Sequence, residues 1–204
     1  MSSVYIALLH YPVYNKRSDV VTTCITSFDL HDIARSAISY GVKRYFVVNP
    51  LPAQREFARR IFDFWMDGES LEFNWTRAEA FKLISIKETL DEAIDEIAKG
   101  EGRRPKVIAT SAKPRGNLKF ESLKLEIRNS GDPYLILFGT GWGMAEEIFE
   151  KVDATLEPIT GNSDLPAGRQ GYNHLSVRSA TAIILDRLLA PTFSSSGLAP
   201  STER

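Results

Sequence analysis

Short apolar runs rich in strand-forming residues alternate along this chain with stretches that have the apolar periodicity of a helix. The apolar runs cover Val4 to Leu9, leading into His10, and then residues 44–48, 83–87, 106–110 and 134–138, with a shorter extended piece at 154–159. Helical periodicity covers residues 29–40, 52–67, 90–99, 120–129, 144–152 and 175–189. Continuous apolar runs are typical of strands buried on both faces of a parallel sheet. The alternation therefore predicts an α/β fold in which helices flank a mostly parallel sheet.

The helix predicted at residues 29–40 has recognisable ends. Asp29 is the predicted N-cap, because its short carboxylate can accept hydrogen bonds from the first backbone N–H groups. Gly41 is the predicted C-cap, where a left-handed backbone conformation stops the helix.

The length of 204 residues suits one compact domain, predicted at residues 1–190, followed by a Ser- and Pro-rich tail at 191–204 that we expect to be disordered. No apolar run approaches the about 20 residues that a membrane-spanning helix needs. The N-terminal run lacks the basic segment and cleavage site of a signal peptide. A cytoplasmic protein is the expectation.

Cysteine and histidine usage excludes two kinds of site. The single cysteine, Cys24, rules out an intrachain disulfide and a cysteine-rich metal centre. The three histidines have unrelated spacings and give no zinc signature: His10, His31 and His174. No metal is predicted.

The formal net charge of −1 hides an uneven distribution of charged residues. Residues 1–60 hold eight Lys and Arg against four Asp and Glu, and residues 101–128 hold eight against three. Residues 61–100 hold four against ten. The two positive segments could form one basic face if they meet in the fold, or they could simply solvate helices.

Small and glycine-rich sequences follow several of the predicted strands, where ligands bind in parallel α/β sheets. Thr110 and Ser111 end one strand, and the sequence Gly-Thr-Gly-Trp-Gly at 139–143 ends another and precedes a helix. Glycines allow close backbone approach to a ligand. The sequence is neither a Walker A loop nor the dinucleotide fingerprint, and by itself it is also compatible with a simple turn.

The order of three segments resembles the SPOUT superfamily of AdoMet-dependent RNA methyltransferases, most closely a compact bacterial group, over residues 4–190. The first motif is similar to Leu30–Gly41, where Arg35 stands six residues before the glycine. The second is similar to Phe138–Gly143, with Gly141 where 2′-O-methylating members have a glutamate. The third is similar to 156–159 together with 173–180, separated here by a longer polar loop at 163–171.

The resemblance implies a C-terminal trefoil knot, a homodimer, and AdoMet bent into the knotted cleft, where backbone groups read the adenine. The implied cofactor-binding residues are small or apolar: Thr110, Ser111, Gly139, Thr140, Gly141, Gly143, Leu156, Ile159, Gly161, Leu175 and Ser176.

The resemblance also suggests roles in methyl transfer, each beside a purely structural alternative. Arg35 would approach the target or its phosphate from near the dimer interface, or else form an ordinary surface ion pair. His174 would act as a base near neutral pH, or else orient and pack. Ser176 would position the target, or else only cap the last helix.

Two further segments are candidate RNA surfaces, with a solvated loop or solvated charge as the alternative in each case. One combines aromatic and basic residues near the first strand: His10, Tyr11, Tyr14, Lys16 and Arg17. The other is purely basic: Arg103, Arg104, Lys106, Lys113, Arg115 and Lys119. Trp142 could cover the cofactor pocket or contact a partner subunit.

These observations predict an AdoMet-dependent RNA methyltransferase that acts on a ribose 2′-oxygen or a base nitrogen, more readily of tRNA than of rRNA. The alternative is a catalytically silent knotted homodimer that binds AdoMet or RNA. A nucleotide-binding Rossmann protein is a third interpretation, and it would bind NAD or ATP more tightly than AdoMet.

Overall fold

A computed structural model describes residues 2–67, 74–162, 164 and 174–191. The predicted tail, from 192 onward, and nearly all of the polar loop at 163–171 lie outside the described residues. The elements in chain order are β1 (Val4–Leu9), β2 (Val13–Tyr14), β3 (Val20–Val21), α1 (Ser27–Ser39), β4 (Arg44–Val48), α2 (Pro52–Met66), α3 (Trp75–Phe81), β5 (Ile84–Lys87), α4 (Leu90–Glu101), β6 (Lys106–Ala109), α5 (Phe120–Asn129), β7 (Tyr134–Gly139), α6 (Glu146–Phe149), β8 (Ala154–Thr155) and α7 (Val177–Leu189).

The main sheet has six described strands in the order β5-β4-β1-β7-β6-β8, and every pairing in it is parallel. The predicted α/β class with a mostly parallel sheet is confirmed. The chain passes from β1 through β4 to β5 on one side of the sheet and then crosses to β6, β7 and β8 on the other side. The carboxyl ends of the adjacent strands β1 and β7 therefore mark the switch point where α/β proteins bind ligands. None of the described helices is long and apolar enough to cross a lipid bilayer.

Apolar side chains from alternate strand positions pack on the two faces of the sheet. Ile6 and Leu8 join the cluster that includes residues of α1, α5 and α7. Ala7 and Leu9 join the opposite cluster, which includes residues of α4 and α6. Because β1 is buried on both faces, each of its leucines contributes about 2 kcal/mol by leaving water.

The start of α1 differs from the prediction. Thr26, not Asp29, is the N-cap: its hydroxyl accepts from the Asp29 N–H at 3.2 Å and donates to the Asp29 carboxylate at 2.7 Å. The cap satisfies one of the first backbone N–H groups of the helix and places the acidic residue in the first turn, beside the positive end of the helix dipole. At the other end, Gly41 follows the C-cap Tyr40 with φ +68°, the left-handed conformation expected there.

Other boundaries shift by a few residues or more. The helix predicted at 144–152 is reduced to the four residues of α6, and the extended piece at 154–159 is a strand only over β8. The helix predicted at 90–99 runs on through Gly100 and ends at Glu101, with Gly102 as its C-cap. The hairpin β2–β3 and the helix α3 were not predicted.

The loop after β6 is hydrogen-bonded to β8 and to the segment that follows β8, and it packs closely against that segment. The Leu118 N–H donates to Thr155 O at 3.1 Å, and the Glu157 N–H donates to Leu118 O at 2.9 Å. At Gly116 a side chain would overlap the backbone carbonyl of Leu156. The two segments therefore approach closely because position 116 has no Cβ.

We expect Gly116→Ala to destabilise the fold by about 2–4 kcal/mol, because neither backbone segment can move away without breaking its hydrogen bonds. Gly100→Ala is the matched control, since a Cβ there meets no atom within 4 Å and alanine favours the helix. Urea unfolding of the two variants measures the difference. Equal free energies of unfolding for the two variants would contradict the close contact between Gly116 and Leu156.

Candidate functional site

The carboxyl ends of β6, β7 and β8 lie side by side and bring three of the predicted segments together. Thr110 is tied to the neighbouring strand twice, since its N–H and its hydroxyl both donate to Leu137 O, at 3.1 and 2.8 Å. The Leu156 N–H donates to Ala109 O at 2.9 Å. The structure thus places Thr110, the glycine loop after β7 and Leu156 at one edge of the sheet.

The glycine loop, residues 139–143, contains glycines with different requirements. Gly141 has φ +59°, and a Cβ there would lie 2.8 Å from the carbonyl oxygen of Tyr14, so this position serves chain packing. Gly143 has φ +101°, but a Cβ there would meet no atom within 4 Å. The open space beside Gly143 is a place where a ligand can approach the backbone.

The hairpin β2–β3 holds the glycine loop in position. The Trp142 N–H donates to Tyr14 O, and the Tyr14 N–H donates to Gly143 O, both at 2.8 Å. The Tyr14 hydroxyl accepts from the Glu146 N–H at 3.2 Å. These bonds fix the loop without using any side chain of the loop itself.

A chain of hydrogen bonds joins the glycine loop to the end of β1. The Thr140 hydroxyl donates to Leu9 O at 3.1 Å and lies 2.5 Å from the Thr23 hydroxyl. Thr23 Oγ1 in turn lies 3.1 Å from Nδ1 of His10 and 3.4 Å from the His10 carbonyl oxygen.

His10 is fully buried, and burial lowers its pKa to about 4, against a partial opposing effect of the Asp29 charge. Its Nε2 has no hydrogen-bond partner within the described residues. The prediction that His10 contacts RNA is wrong, because the ring lies inside the protein as a neutral link. Thr23 was missed by sequence reasoning, since its partners lie 13 and 117 residues away along the chain.

The third segment supplies both buried and exposed positions. Leu156 is buried in the core and Ile159 packs partly against it, whereas Gly161 is exposed. His174 and Leu175 are exposed just before α7.

Ser176 is the N-cap of α7, with its hydroxyl accepting from the Ser179 N–H at 3.2 Å. Arg178 then forms ion pairs with Asp29 at 3.0 Å and Asp32 at 3.3 Å, which hold the start of α7 beside the start of α1. Ser176 therefore has the structural role suggested for it, which is to cap the last helix.

Arg35 is not brought to this edge. It lies eight residues into α1, about 12 Å along a helix that begins at the carboxyl edge and runs away from it. Its side chain is exposed and forms no ion pair among the described residues. Within one chain, Arg35 is separate from the other predicted site residues.

The edge offers backbone donors rather than charged side chains. Within the described part of the chain, several N–H groups here make no hydrogen bond, among them those of Ser111, Gly141, Thr160 and Gly161. Together with the open space at Gly143, these donors fit a neutral heterocycle that is read by main-chain groups. The described residues contain no cluster of side chains arranged to hold a metal ion.

The basic surface predicted from residues 103–119 is not an unopposed positive patch. Five of its six cations are ion-paired: Arg103 with Asp132, Arg104 with Asp153, Lys106 with Glu126, Arg115 with Glu146, and Lys119 with Glu157. The hydrogen bond from Lys119, followed by the one from the Phe120 N–H, holds the pKa of Glu157 below its ordinary value. Only Lys113 of this set forms no ion pair among the described residues.

Comparison with known proteins gives a family match over almost the whole described chain. A family model described as SAM-dependent RNA methyltransferase matches residues 3–190. An uncharacterized protein of Aquifex aeolicus is 42% identical over 189 residues, which cover 92% of this chain and 89% of that protein.

A protein of Oleidesulfovibrio alaskensis named tRNA (guanine-N(1)-)-methyltransferase is 40% identical over 187 residues, which cover 92% of this chain. This chain spans only 42% of that relative's length. Among solved structures, the SpoU methyltransferase AviRb of Streptomyces viridochromogenes, in complex with AdoMet, has a TM-score of 0.54 at 14% identity, covering 92% of this chain and 57% of that one. This similarity is one of fold.

The buried neutral His10 predicts a specific pH dependence of stability. Between pH 6.5 and about 4 the unfolded chain binds a proton that folded His10 does not, so the free energy of unfolding falls as the pH falls through this range. The decrease in the free energy of unfolding that His10 causes approaches about 3 kcal/mol near pH 4 and is absent above pH 7. Urea unfolding from pH 4 to 8 should show a shallower pH dependence for His10→Asn than for the wild type. An NMR titration midpoint of the His10 ring near 6.5 would contradict the burial argument.

Proposed function

The chain belongs to the SAM-dependent RNA methyltransferases, and from that premise we propose that its substrate is tRNA. The resemblance to the SPOUT superfamily is confirmed by the family match and by the SpoU methyltransferase fold. The chain is therefore a methyltransferase that uses AdoMet. The proposal of tRNA is supported by the name of the Oleidesulfovibrio relative, of which this chain spans less than half.

The observation that carries the cofactor assignment is the edge where three strand ends meet and leave backbone N–H groups without partners. AdoMet supplies an electrophilic methyl group on its sulfonium centre. We assign its binding to the predicted set: Thr110, Ser111, Gly139, Thr140, Gly141, Gly143, Leu156, Ile159, Gly161, Leu175 and Ser176. Within that set, Thr110 and Thr140 act by fixing the loops, because both hydroxyls donate to backbone carbonyls. Gly143 provides the open backbone approach.

His174 is the proposed base, because it is an exposed imidazole two residues before the N-cap of α7. Ser176 is proposed to set the position of this segment through its cap, rather than to touch the target directly. The target atom is a ribose 2′-oxygen or a base nitrogen.

A homodimer would complete the site. Arg35 lies about 12 Å from its own chain's edge, so its proposed role on the target or its phosphate requires a second protomer. Two exposed apolar side chains, Phe28 and Ile38, stand on the same helix as Arg35, and their burial would favour association through α1. The trefoil knot is proposed for the same region, and the close contact of Gly116 with Leu156 supports a loop tight enough to enclose the last helix.

The first test is calorimetric titration with AdoMet and with S-adenosylhomocysteine, followed by transfer of labelled methyl groups to bulk tRNA and to rRNA. We expect one ligand per chain with micromolar affinity or tighter, and label in tRNA. Nucleoside digestion then distinguishes ribose from base methylation. Binding of AdoMet without transfer to any RNA would favour the silent dimer, and tighter binding of NAD or ATP would favour the Rossmann interpretation.

Arg35→Ala should lower kcat/KM for tRNA by about 10²-fold while leaving the Kd for AdoMet unchanged, because the guanidinium acts on the target and not on the cofactor. Arg59→Ala is the matched control, since Arg59 is an exposed helical arginine that also forms no ion pair among the described residues. Equal activity of the two variants would contradict the role of Arg35.

Mixing two inactive variants tests whether Arg35 acts across the dimer. We expect Arg35→Ala protomers, combined with Gly143→Val protomers whose cofactor loop is blocked, to regain about a quarter of wild-type activity by random pairing. Half of the dimers then carry one intact site. No recovery of activity in a mixture that exchanges subunits would show that Arg35 acts within its own chain.

A further inference from the structure

We propose that the β2–β3 hairpin binds the phosphodiester backbone of RNA beside the target nucleotide, through Lys16 and Arg17 at its turn. This inference rests on the proposed function, because it names the surface by which the same site holds its RNA. The proposed RNA surface contains fewer residues than the one predicted from the sequence, because His10 is buried and Tyr14 holds the glycine loop.

The turn that carries the two cations is rigid. The Asn15 side-chain oxygen accepts from the N–H groups of Arg17 and Asp19, at 2.7 and 3.0 Å. The Ser18 N–H donates to Asn15 O at 3.1 Å, and Ser18 adopts φ +66°. A turn closed by its own side chain presents its cations without the entropy cost of ordering a loop on binding.

The two cations are free to meet an anion. Lys16 and Arg17 are exposed, and neither forms an ion pair within the described residues. The nearest acidic residue in sequence, Asp19, is engaged by the Asn15 side-chain amide at 3.0 Å. The contrast with residues 103–119 is informative, because there five of six cations are neutralised by carboxylates.

The hairpin also has a fixed position relative to the proposed cofactor pocket. Tyr14 exchanges backbone hydrogen bonds with both Trp142 and Gly143, so the cations stand at a defined place beside the glycine loop. Phosphate contacts of this kind set the register of a nucleic acid without reading its sequence.

Exposed aromatic residues on either side of the hairpin strengthen the assignment to RNA. Tyr11 is 43% exposed before the hairpin, and Trp142 is 57% exposed on the loop that pairs with it. Aromatic faces beside cations are the combination that stacks unpaired bases and holds their phosphates. An acidic protein surface would also pair with the two cations, but unlike RNA it offers no bases that could stack on these aromatic rings.

The test compares two double charge reversals of equal size. Lys16→Glu with Arg17→Glu removes the hairpin cations. Lys99→Glu with Lys151→Glu is the control, because both are exposed lysines without an ion pair among the described residues. They stand near the amino ends of the strands: Lys99 in the last turn of α4, whose Glu101 accepts from the Tyr5 hydroxyl, and Lys151 just before β8.

Fluorescence anisotropy with labelled tRNA, over a range of salt concentrations, measures binding without any need for turnover. We expect the hairpin variant to bind tRNA at least tenfold more weakly, and its log K to depend on log salt with a slope smaller by about 1.4. The control variant should bind within about twofold of wild type. The Kd for AdoMet should be unchanged in both variants.

Equal weakening in the two double variants, or no weakening in either, would overturn the proposal. So would a wild-type protein that binds no tRNA but captures an acidic polypeptide such as polyglutamate through the same residues. Loss of tRNA binding in the hairpin variant alone supports the proposal even if the wild type transfers no methyl group to tRNA. In that case the hairpin assignment stands and the proposed catalytic function fails.

Discussion

The parallel register between β1 and β7 is the constraint on which the site depends. Six consecutive residues of β1 pair with six of β7, from Val4 opposite Tyr134 to Leu9 opposite Gly139. Both strands are almost completely buried, so a slip of one residue would turn core side chains to the wrong face. This pairing brings the hairpin after β1 against the glycine loop after β7, and it lets the hydroxyls of Thr23 and Thr140 meet. The proposed cofactor edge and the proposed RNA-binding hairpin thus both depend on one register.

Which cations of this protein are available to bind an anion depends on their ion pairs and not on the net charge of the chain. A formal charge of −1 suggests no affinity for nucleic acid, and counting by segment suggests two basic regions. The fold pairs five of the eight cations of the second region with carboxylates from α5, α6 and the segments around them and β8, which lowers its uncompensated positive charge. The two cations of the short hairpin turn have no such partners among the described residues.

Much of the architecture was predictable, because periodicity and capping act over short distances. β1, β4 and α5 occur at their predicted bounds, and α2 begins at the predicted proline. Asp29 was misplaced as a cap because Thr26, three residues earlier, offers a better acceptor and leaves the carboxylate to Arg178. The two-residue strands of the hairpin are too short to show alternation.

What could not be predicted depends on contacts between distant parts of the chain. The burial of His10 follows from packing around β1, and its polar partner Thr23 belongs to a different loop. The ion pairs of residues 103–119 join positions 20 to 49 residues apart, so no local pattern reveals them. The three motifs of the SPOUT resemblance identified the family from residues that the fold gathers at one edge. Arg35 is the exception, because its helix carries it away from that edge.

The central position of β1 also has a consequence for how the chain is made. β1 is synthesised before the other described strands of its sheet, yet one of its two neighbours is β7, whose end lies about 130 residues downstream. At ordinary translation rates the apolar edge of β1 must wait on the order of 10 s for that partner to emerge. During this interval the nascent chain displays an unpaired strand that is ready to join any other exposed edge. The sheet order that brings the ends of β1 and β7 together therefore leaves β1 without this partner until about two thirds of the chain has been synthesised.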